Sequence, residues 1–553
     1  MRRATFGALI LVYLVSCERV PPPPSGLIDV TAASGITRST WSGGKNKHHI
    51  RESLGQGACW IDYDRDGDSD LLVLNGGHEV RASYAGSENL LNAWQFYINQ
   101  DGKFKDATKQ VGLHLRAWGL GCAVGDIDQD GFADLFVTTA VGPNRLFRNR
   151  GDGRFEDWTS RSGVGSDLLS TSAAFGDLDN DGDLDLVVAT YLDESSYDAK
   201  GELCKWKGMQ VMCGPKGYRA LDDLLYLNDG YGRFQQSKAL AGYPGYGLGV
   251  VLFDADGDGD SDIFIANDSS PNHLFLNQGS GQFIESGLAS GTALSHTGAS
   301  QAGMGVDVND LDGDGLLDIV VTNFSDDIHN FYHADGRGYF SEWSNRSGLA
   351  VASFSKLGWS VLLEDFDLDG DVDVFTTNGH VYPQVDAQDV NTTYLQAIQL
   401  LFNDGKGNLH EDIDKLGMIA NVPMAGRGAA AADFDGDGDM DVVVVRDGEP
   451  PLLLRNDIPT NETHWIKIRL AGQRSNKEGI GARVELEASG VLQVREMRRS
   501  RGYLSGGEAI LLFGLGSSTQ VERLTVHWPG GDQQVLTNLE VDREWKITET
   551  AEE

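Results

Sequence analysis

The chain has 553 residues, enough for two or more domains, and its 40% hydrophobic content excludes global disorder. Forty-five basic residues against 82 acidic ones leave a net charge of −37, which would repel phosphates and so excludes a nucleic-acid partner. Seventy glycines, 14 prolines and few long apolar runs favour many short strands joined by tight turns.

At the N-terminus, Arg2 and Arg3 precede an apolar stretch, residues 4–15, which together predict an export signal. Twelve residues are too few to cross a bilayer as a helix. The segment ends Leu14-Val15-Ser16-Cys17, which resembles a bacterial lipoprotein cleavage box. That resemblance implies a signal over residues 1–17, lipidation of Cys17, and a cell-envelope lipoprotein at the outer membrane or cell surface. An ordinary signal peptide cut nearby is the alternative. Residues 18–26, ERVPPPPSG, form a stiff Pro-rich tether suited to holding a domain off a membrane.

From residue 27 to about 460 the sequence repeats. The pattern D-x-D-x-D-G-x-x-D occurs seven times, at intervals of 64, 51, 77, 56, 55 and 68 residues. Its acids are Asp62, Asp64, Asp66 and Asp70, then Asp126, Asp128, Asp130 and Asp134, then Asp177, Asp179, Asp181 and Asp185. The fourth and fifth copies carry Asp254, Asp256, Asp258 and Asp262, and Asp310, Asp312, Asp314 and Asp318. The last two carry Asp365, Asp367, Asp369 and Asp373, and Asp433, Asp435, Asp437 and Asp441.

A small-residue apolar strand precedes each motif, as in GLGCAVGD before Asp128, and a branched run follows, as in DIVVTN from Asp318. A third strand comes next, such as Leu146-Phe147-Arg148-Asn149, and in six copies a Gly-bearing hairpin leads to a fourth. Four short antiparallel strands per repeat predict an all-β, seven-bladed propeller. The seventh copy lacks its fourth strand, while Leu27–Ile36 (LIDVTAASGI) matches the fourth-strand element Phe155–Val164 (FEDWTSRSGV). The N-terminal strand is therefore expected to complete the last blade and close the ring, which removes open sheet edges.

On these motifs, residues 27–456 resemble the integrin-α type FG-GAP/VCBS propellers. Residues 461–553 resemble the ASPIC/UnbV domain through Glu478–Leu486 (EGIGARVEL), Arg501–Gly507 (RGYLSGG) and Phe513–Gly516 (FGLG). The arrangement as a whole is similar to bacterial relatives of the cartilage acidic protein family. Alternating strands at 464–469, 482–486, 509–513 and 521–528 predict a small β-sandwich-like domain, with a local basic cluster of Arg495, Arg498, Arg499 and Arg501. That cluster could dock an acidic ligand or the propeller's own Asp-rich face; a solvated strand face is the other reading.

The repeated loops predict calcium. Aspartates at positions 1, 3 and 5 converge when the chain turns sharply at the glycine of position 6, and a carbonyl at 7 and the acid at 9 complete a flexible oxygen shell. Such a cage suits Ca²⁺ better than Mg²⁺, which demands tight octahedral geometry. Four clustered carboxylates repel one another unless a cation sits among them. Up to seven Ca²⁺ are expected, with an architectural rather than catalytic role because every repeat carries the same set.

Cys204 and Cys213, nine apart in a polar loop, are expected to form a disulfide in an oxidising compartment. Cys59 and Cys122 lie in apolar strands and read as small buried hydrophobes. Three loops between second and third strands are long, 75–93, 190–223 and 377–399, and they leave the face opposite the calcium hairpins. Long loops on a rigid scaffold gather binding residues. Tyr84, Trp206 and Tyr394 are candidate ligand contacts; His78, His380 and Tyr382 are candidate catalytic groups, with His380 as base and Tyr382 as acid. Two functions follow: a membrane-anchored binding or adhesion module for an extracellular protein or glycan, or an extracellular carbohydrate-active enzyme resembling the polysaccharide lyases. Binding is the leading reading, and the fold alone does not choose.

Overall fold

The computed structural model describes residues 25–77, 94–196, 203–460 and 463–550. Cys17, His78 and Tyr84 lie outside the described residues, as does all but the last two residues of the tether. The propeller region forms seven four-stranded antiparallel sheets. In the second, for instance, Gly119–Gly125, Asp134–Thr139, Arg145–Asn149 and Phe155–Asp157 pair in chain order. Each blade's first strand packs beside that of the next, and the last of them, Gly426–Ala432, returns to Ala58–Ile61. The ring is closed. Small residues occupy these inner strands because their backbones converge on the axis: a methyl group at Gly305 would collide with the Trp359 carbonyl of the next blade.

Closure uses the N-terminal strand. Gly26–Asp29 pairs antiparallel with Leu452–Asp457, and Leu27 stands opposite Asn456. Thr31 Oγ1 accepts the Leu453 N–H at 2.9 Å, as Thr159 Oγ1 accepts that of Leu146 at 3.1 Å in blade 2. A helical turn and a left-handed glycine follow in both, Gly35 at φ 102° and Gly163 at φ 86°. Leu27 and Ile36 are 1% exposed. Deleting residues 25–36 gives up about 1.5–3 kcal/mol for each of these two side chains and opens a sheet edge. The truncated chain should melt several degrees lower by calorimetry and self-associate on size exclusion; wild-type melting would show that the strand does not close the ring.

Neighbouring blades are also stitched by an asparagine at the end of the third strand. Asn149 Nδ2 donates to the Tyr63 carbonyl of blade 1 at 2.8 Å, and Asn228 to Ile127 of blade 2 at 2.9 Å. Asn277, Asn403, Asn456 and Asn99 repeat the bond to Leu178, Leu311, Phe366 and Phe434. Blade 5 has Ala334 at this position and omits it.

Two sheets of the C-terminal domain share one core, including Ile468, Val484, Phe513 and Leu524. A hairpin of this domain, Ser500–Arg501 and Ser505–Gly506, leaves it and enters the propeller axis, where Gly506 bridges Cys59. Cys204 and Cys213 are disulfide-bonded. Cys59 and Cys122 are buried, as expected of their apolar strands, and they form a second disulfide, between the first strands of blades 1 and 2. Sixty-three residues separate them in sequence, and only the ring makes them neighbours.

Candidate functional site

The first aspartate in six motifs, all but that of blade 1, and the last aspartates are fixed by the backbone. Asp126 Oδ2 accepts the Gly131 N–H at 2.7 Å, and Asp177, Asp254, Asp310, Asp365 and Asp433 accept from their own motif glycines at 2.9–3.0 Å. Asp134 takes the Ile127 N–H on Oδ2 and the Asn149 N–H on Oδ1, a pattern that Asp70, Asp185, Asp262, Asp373 and Asp441 repeat. The acid at position 3 is different. Oδ1 of Asp128, Asp179, Asp256 and Asp367 is buried with no hydrogen-bond partner, as is Oδ1 of Asp62.

Carboxylate oxygens converge within 4.8 Å in the sets Asp62/Asp64/Asp66, Asp126/Asp128/Asp134, Asp177/Asp179/Asp185 and Asp254/Asp256/Asp262. Burial, followed by neighbouring acids, holds many of them above the ordinary range: Asp126 to about 7, Asp185 to about 8 and Asp262 to about 9. Orphaned, crowded, hard oxygens of this kind fit a divalent cation and Ca²⁺ in particular. Some loops carry basic partners: Arg148 on Asp128 and Asp130, Lys415 on Asp367, Lys467 on Asp433. In blade 5, His333 Nε2 lies 3.0 Å from Asp312 while its ring stacks on Trp343 at 3.7 Å. Among the described residues no basic side chain ion-pairs with the motif acids of blades 1, 3 and 4.

The face that carries the aspartate loops is covered. Glu496 accepts the Asp254 N–H at 3.2 Å, Glu508 accepts that of Asp433 at 3.3 Å, and Arg483 donates to the Gly315 carbonyl at 2.9 Å. The arginine cluster is not a solvated strand face. Arg501 pairs with Glu364, Arg498 reaches the Val308 carbonyl, and Arg499 donates to the Trp60 carbonyl at 2.7 Å, all buried. Between these arginines and the domain's return, Gly502 exchanges N–H···O bonds with Val306, the Cys122 N–H donates to the Leu504 carbonyl, and the Leu504 N–H to Ser172 Oγ. Tyr503 is fully buried, its hydroxyl on the Leu54 carbonyl at 3.0 Å and its ring 4.9 Å from Trp359.

On the opposite face the described parts of the long loops of blades 3 and 6 fold over the axis. A segment before blade 1 crosses the same face, held by Lys47 to Asp447 and by Arg427, which donates to the Ser53 carbonyl at 2.9 Å. Trp206, on the disulfide-closed hairpin, meets His380, Tyr382 and Phe324 at ring distances of 5.2, 5.7 and 6.0 Å. His380 is fully buried. Its Nδ1 accepts the Tyr382 N–H at 3.0 Å, its Nε2 lies 3.1 Å from Ser325 Oγ, and burial, reinforced by Arg427, lowers its pKa to about 3. The expectation of an accessible base at His380 therefore does not fit this geometry: both ring nitrogens are engaged in the loop itself. Burial pushes Tyr382 up to about 12, and Tyr394 packs half-buried against the same apolar cluster. Trp206 and Tyr382 border a cavity of about 400 Å³ that also takes in Tyr191, Trp359, Asp268 and Asp327.

Residues 472–553 match the family described as ASPIC and UnbV, and residues 62–137, 127–188, 254–321 and 310–376 match the FG-GAP-like repeat. The chain is an FG-GAP-repeat protein with an ASPIC and UnbV domain. It is homologous to cartilage acidic protein 1, which is 27% identical over 344 residues in Mus musculus and 28% over 352 in Xenopus tropicalis. These matches cover 59% of this chain and 48% of each relative, so the chain spans about half the length of the curated relatives it matches. Among solved structures, an Agrocybe aegerita lection with specific recognition of non-reducing terminal N-acetylglucosamine is 16% identical, with a TM-score of 0.38 over 67% of this chain and 82% of that one.

Several residues of the FG-GAP propeller escape a reading of its long loops. Asp268 and Asp327 sit in the short loops of blades 4 and 5, and Gln301 in the connection between those blades. The ASPIC and UnbV hairpin was legible as a motif, RGYLSGG, but not as the element that fills the ring. A tyrosine and a leucine between glycines are the one local signal that this hairpin inserts into something.

Proposed function

We propose that this chain is an exported, lipid-anchored, calcium-loaded binding module that meets an extracellular protein or glycan on its long-loop face. The observation that carries this reading is the asymmetry of the two faces. The C-terminal domain covers the calcium side, while the opposite side keeps an aromatic-lined cavity at the axis, the kind of concave site ligands use. Calcium belongs to the same reading because Oδ1 of the position-3 acid is buried and unpartnered in four motifs, those of Asp128, Asp179, Asp256 and Asp367. The enzymatic alternative loses its base, since His380 is buried and fully engaged.

A glycan array and an extracellular-protein array probed with the calcium-loaded chain, alongside an assay for unsaturated lyase products, test the reading. Once a partner is found, Trp206→Ala should weaken its binding at least tenfold with calcium content unchanged. Undiminished binding by this variant, or turnover of a polysaccharide, overturns it. Anchoring is tested separately: mass spectrometry of the mature protein should find an acylated Cys17, and Cys17→Ser should release or misprocess it, because stable attachment needs more than one acyl chain or signal. A different mature N-terminus rejects the anchor without touching the binding face.

A further inference from the structure

The axial cavity is unbalanced in its polar groups. Asp268 and Asp327 both border it, and among the described residues one basic residue does, Lys216, exposed at the rim with its charge favouring both carboxylates. Asp268 takes the Tyr191 hydroxyl on Oδ2 at 2.6 Å and the Ser269 hydroxyl on Oδ1 at 2.9 Å. Those two hydroxyls are thereby spent as donors, and Ser53 donates its own to the Ile50 carbonyl at 2.6 Å. Gln301 gives its amide to the Ile328 carbonyl at 3.0 Å and leaves Oε1 buried without a partner. What a guest meets on this wall is the remaining lone pairs of two carboxylates, set against the donors of Lys216 and the Ser300 and Tyr382 hydroxyls.

We propose that this cavity binds an organic ammonium group carried on an apolar stem, with Asp268 and Asp327 receiving its N–H donors and the rings of Trp206, Phe324 and Tyr382 enclosing the stem. An ammonium brings three donors and no acceptor, the complement of this lining. Its charge offsets two carboxylates that burial holds above their ordinary range, and a cation against aromatic faces gains further attraction once water is excluded. An anionic guest meets two carboxylates and is repelled. A neutral sugar brings hydroxyls that also need donors, and the lining has few to offer. The inference rests on the long-loop face being the binding face, and it names the chemistry that face recognises.

Isothermal titration calorimetry on the calcium-loaded full chain tests it, with n-butylammonium, n-butanol and N-acetylglucosamine as probes. Butylammonium should bind saturably, with one site per chain, at least tenfold more tightly than butanol. Asp327→Asn should weaken it at least tenfold with melting unchanged; Trp206→Leu gives a second measure, since Asp268 also holds Tyr191. Equal affinity for butanol, preference for the sugar, or full affinity in Asp327→Asn overturns the inference. A lysine-centred tripeptide separates the sources: if it binds as butylammonium does, the guest is a partner's lysine; if butylammonium alone binds, the guest is a free amine. A partner that binds this face while butylammonium does not defeats this inference alone. Ammonium binding in a chain whose partner ignores Trp206→Ala defeats the proposed function instead.

Discussion

Excess chelator is expected to lower the melting temperature of the full chain by on the order of 10 °C, and magnesium should restore only part of the loss. Seven motifs with four aspartates each place 28 of the 82 acidic residues in seven small volumes. In four of them Oδ1 of the position-3 acid has no protein donor, so an empty loop there holds buried repulsion that protonation or a cation relieves. A ligand held by the folded state alone adds RT ln(1 + [L]/Kd), about 2.7 kcal/mol per site at a hundredfold excess. Blades 1, 3 and 4, whose motif acids have no basic partner among the described residues, should load first, and three such sites amount to about 8 kcal/mol. Blades 2, 6 and 7 must first displace Arg148, Lys415 or Lys467. Magnesium keeps its waters and its octahedral geometry, and these loops are too open to enforce it. Calorimetry with metal analysis decides the matter. An unchanged melting curve in chelator, with no calcium found, would sink the calcium assignment.

The repeat and its closure could be read from sequence because each is a local pattern copied many times. Even the displaced strand kept its tag, the Thr–x–x–Ser–Gly turn shared by Thr31–Gly35 and Thr159–Gly163. What escaped depends on long-range geometry. Cys59 and Cys122 look like ordinary core residues until the ring sets their strands side by side. The asparagine ending the third strand of six blades is plain in the sequence, yet its partner carbonyl lies in the preceding blade, as in Asn149 to Tyr63. His380 and Tyr382 were read as exposed because they sit in a loop. They are buried because the described parts of the loops of blades 3 and 6 and the segment before blade 1 cover one another over the axis. Loop length points to the face that bears the cavity, but the acids that line it, Asp268 and Asp327, come from short loops.

Tyr503→Ala is expected to cost about 3–5 kcal/mol, the range for emptying a large aromatic site in a core. Its ring is the C-terminal domain's deepest intrusion, and the hairpin around it touches one blade after another: Cys59 and Ala58, Cys122, Ser172, Val306 and Ser360. Removing the ring leaves a hole on the axis that the converging inner strands cannot fill, since their backbones already meet. Arg501→Met should cost as much by another route. It strips the counter-charge from Glu364 and weakens that of the fully buried Asp307, and breaking a buried pair on one side costs about 3–5 kcal/mol. The control is Tyr339→Ala, an exposed tyrosine on the outer strand of blade 5, where the change should stay within about 0.5 kcal/mol. Denaturant titrations in saturating calcium separate these effects from metal loss. If the hairpin is the keystone of the ring, propeller and C-terminal domain unfold in one transition in the parent chain, and Tyr503→Ala shifts that single transition far more than Tyr339→Ala. Equal midpoints for the two tyrosine variants would mean that the ring holds itself together and the inserted hairpin is only a passenger.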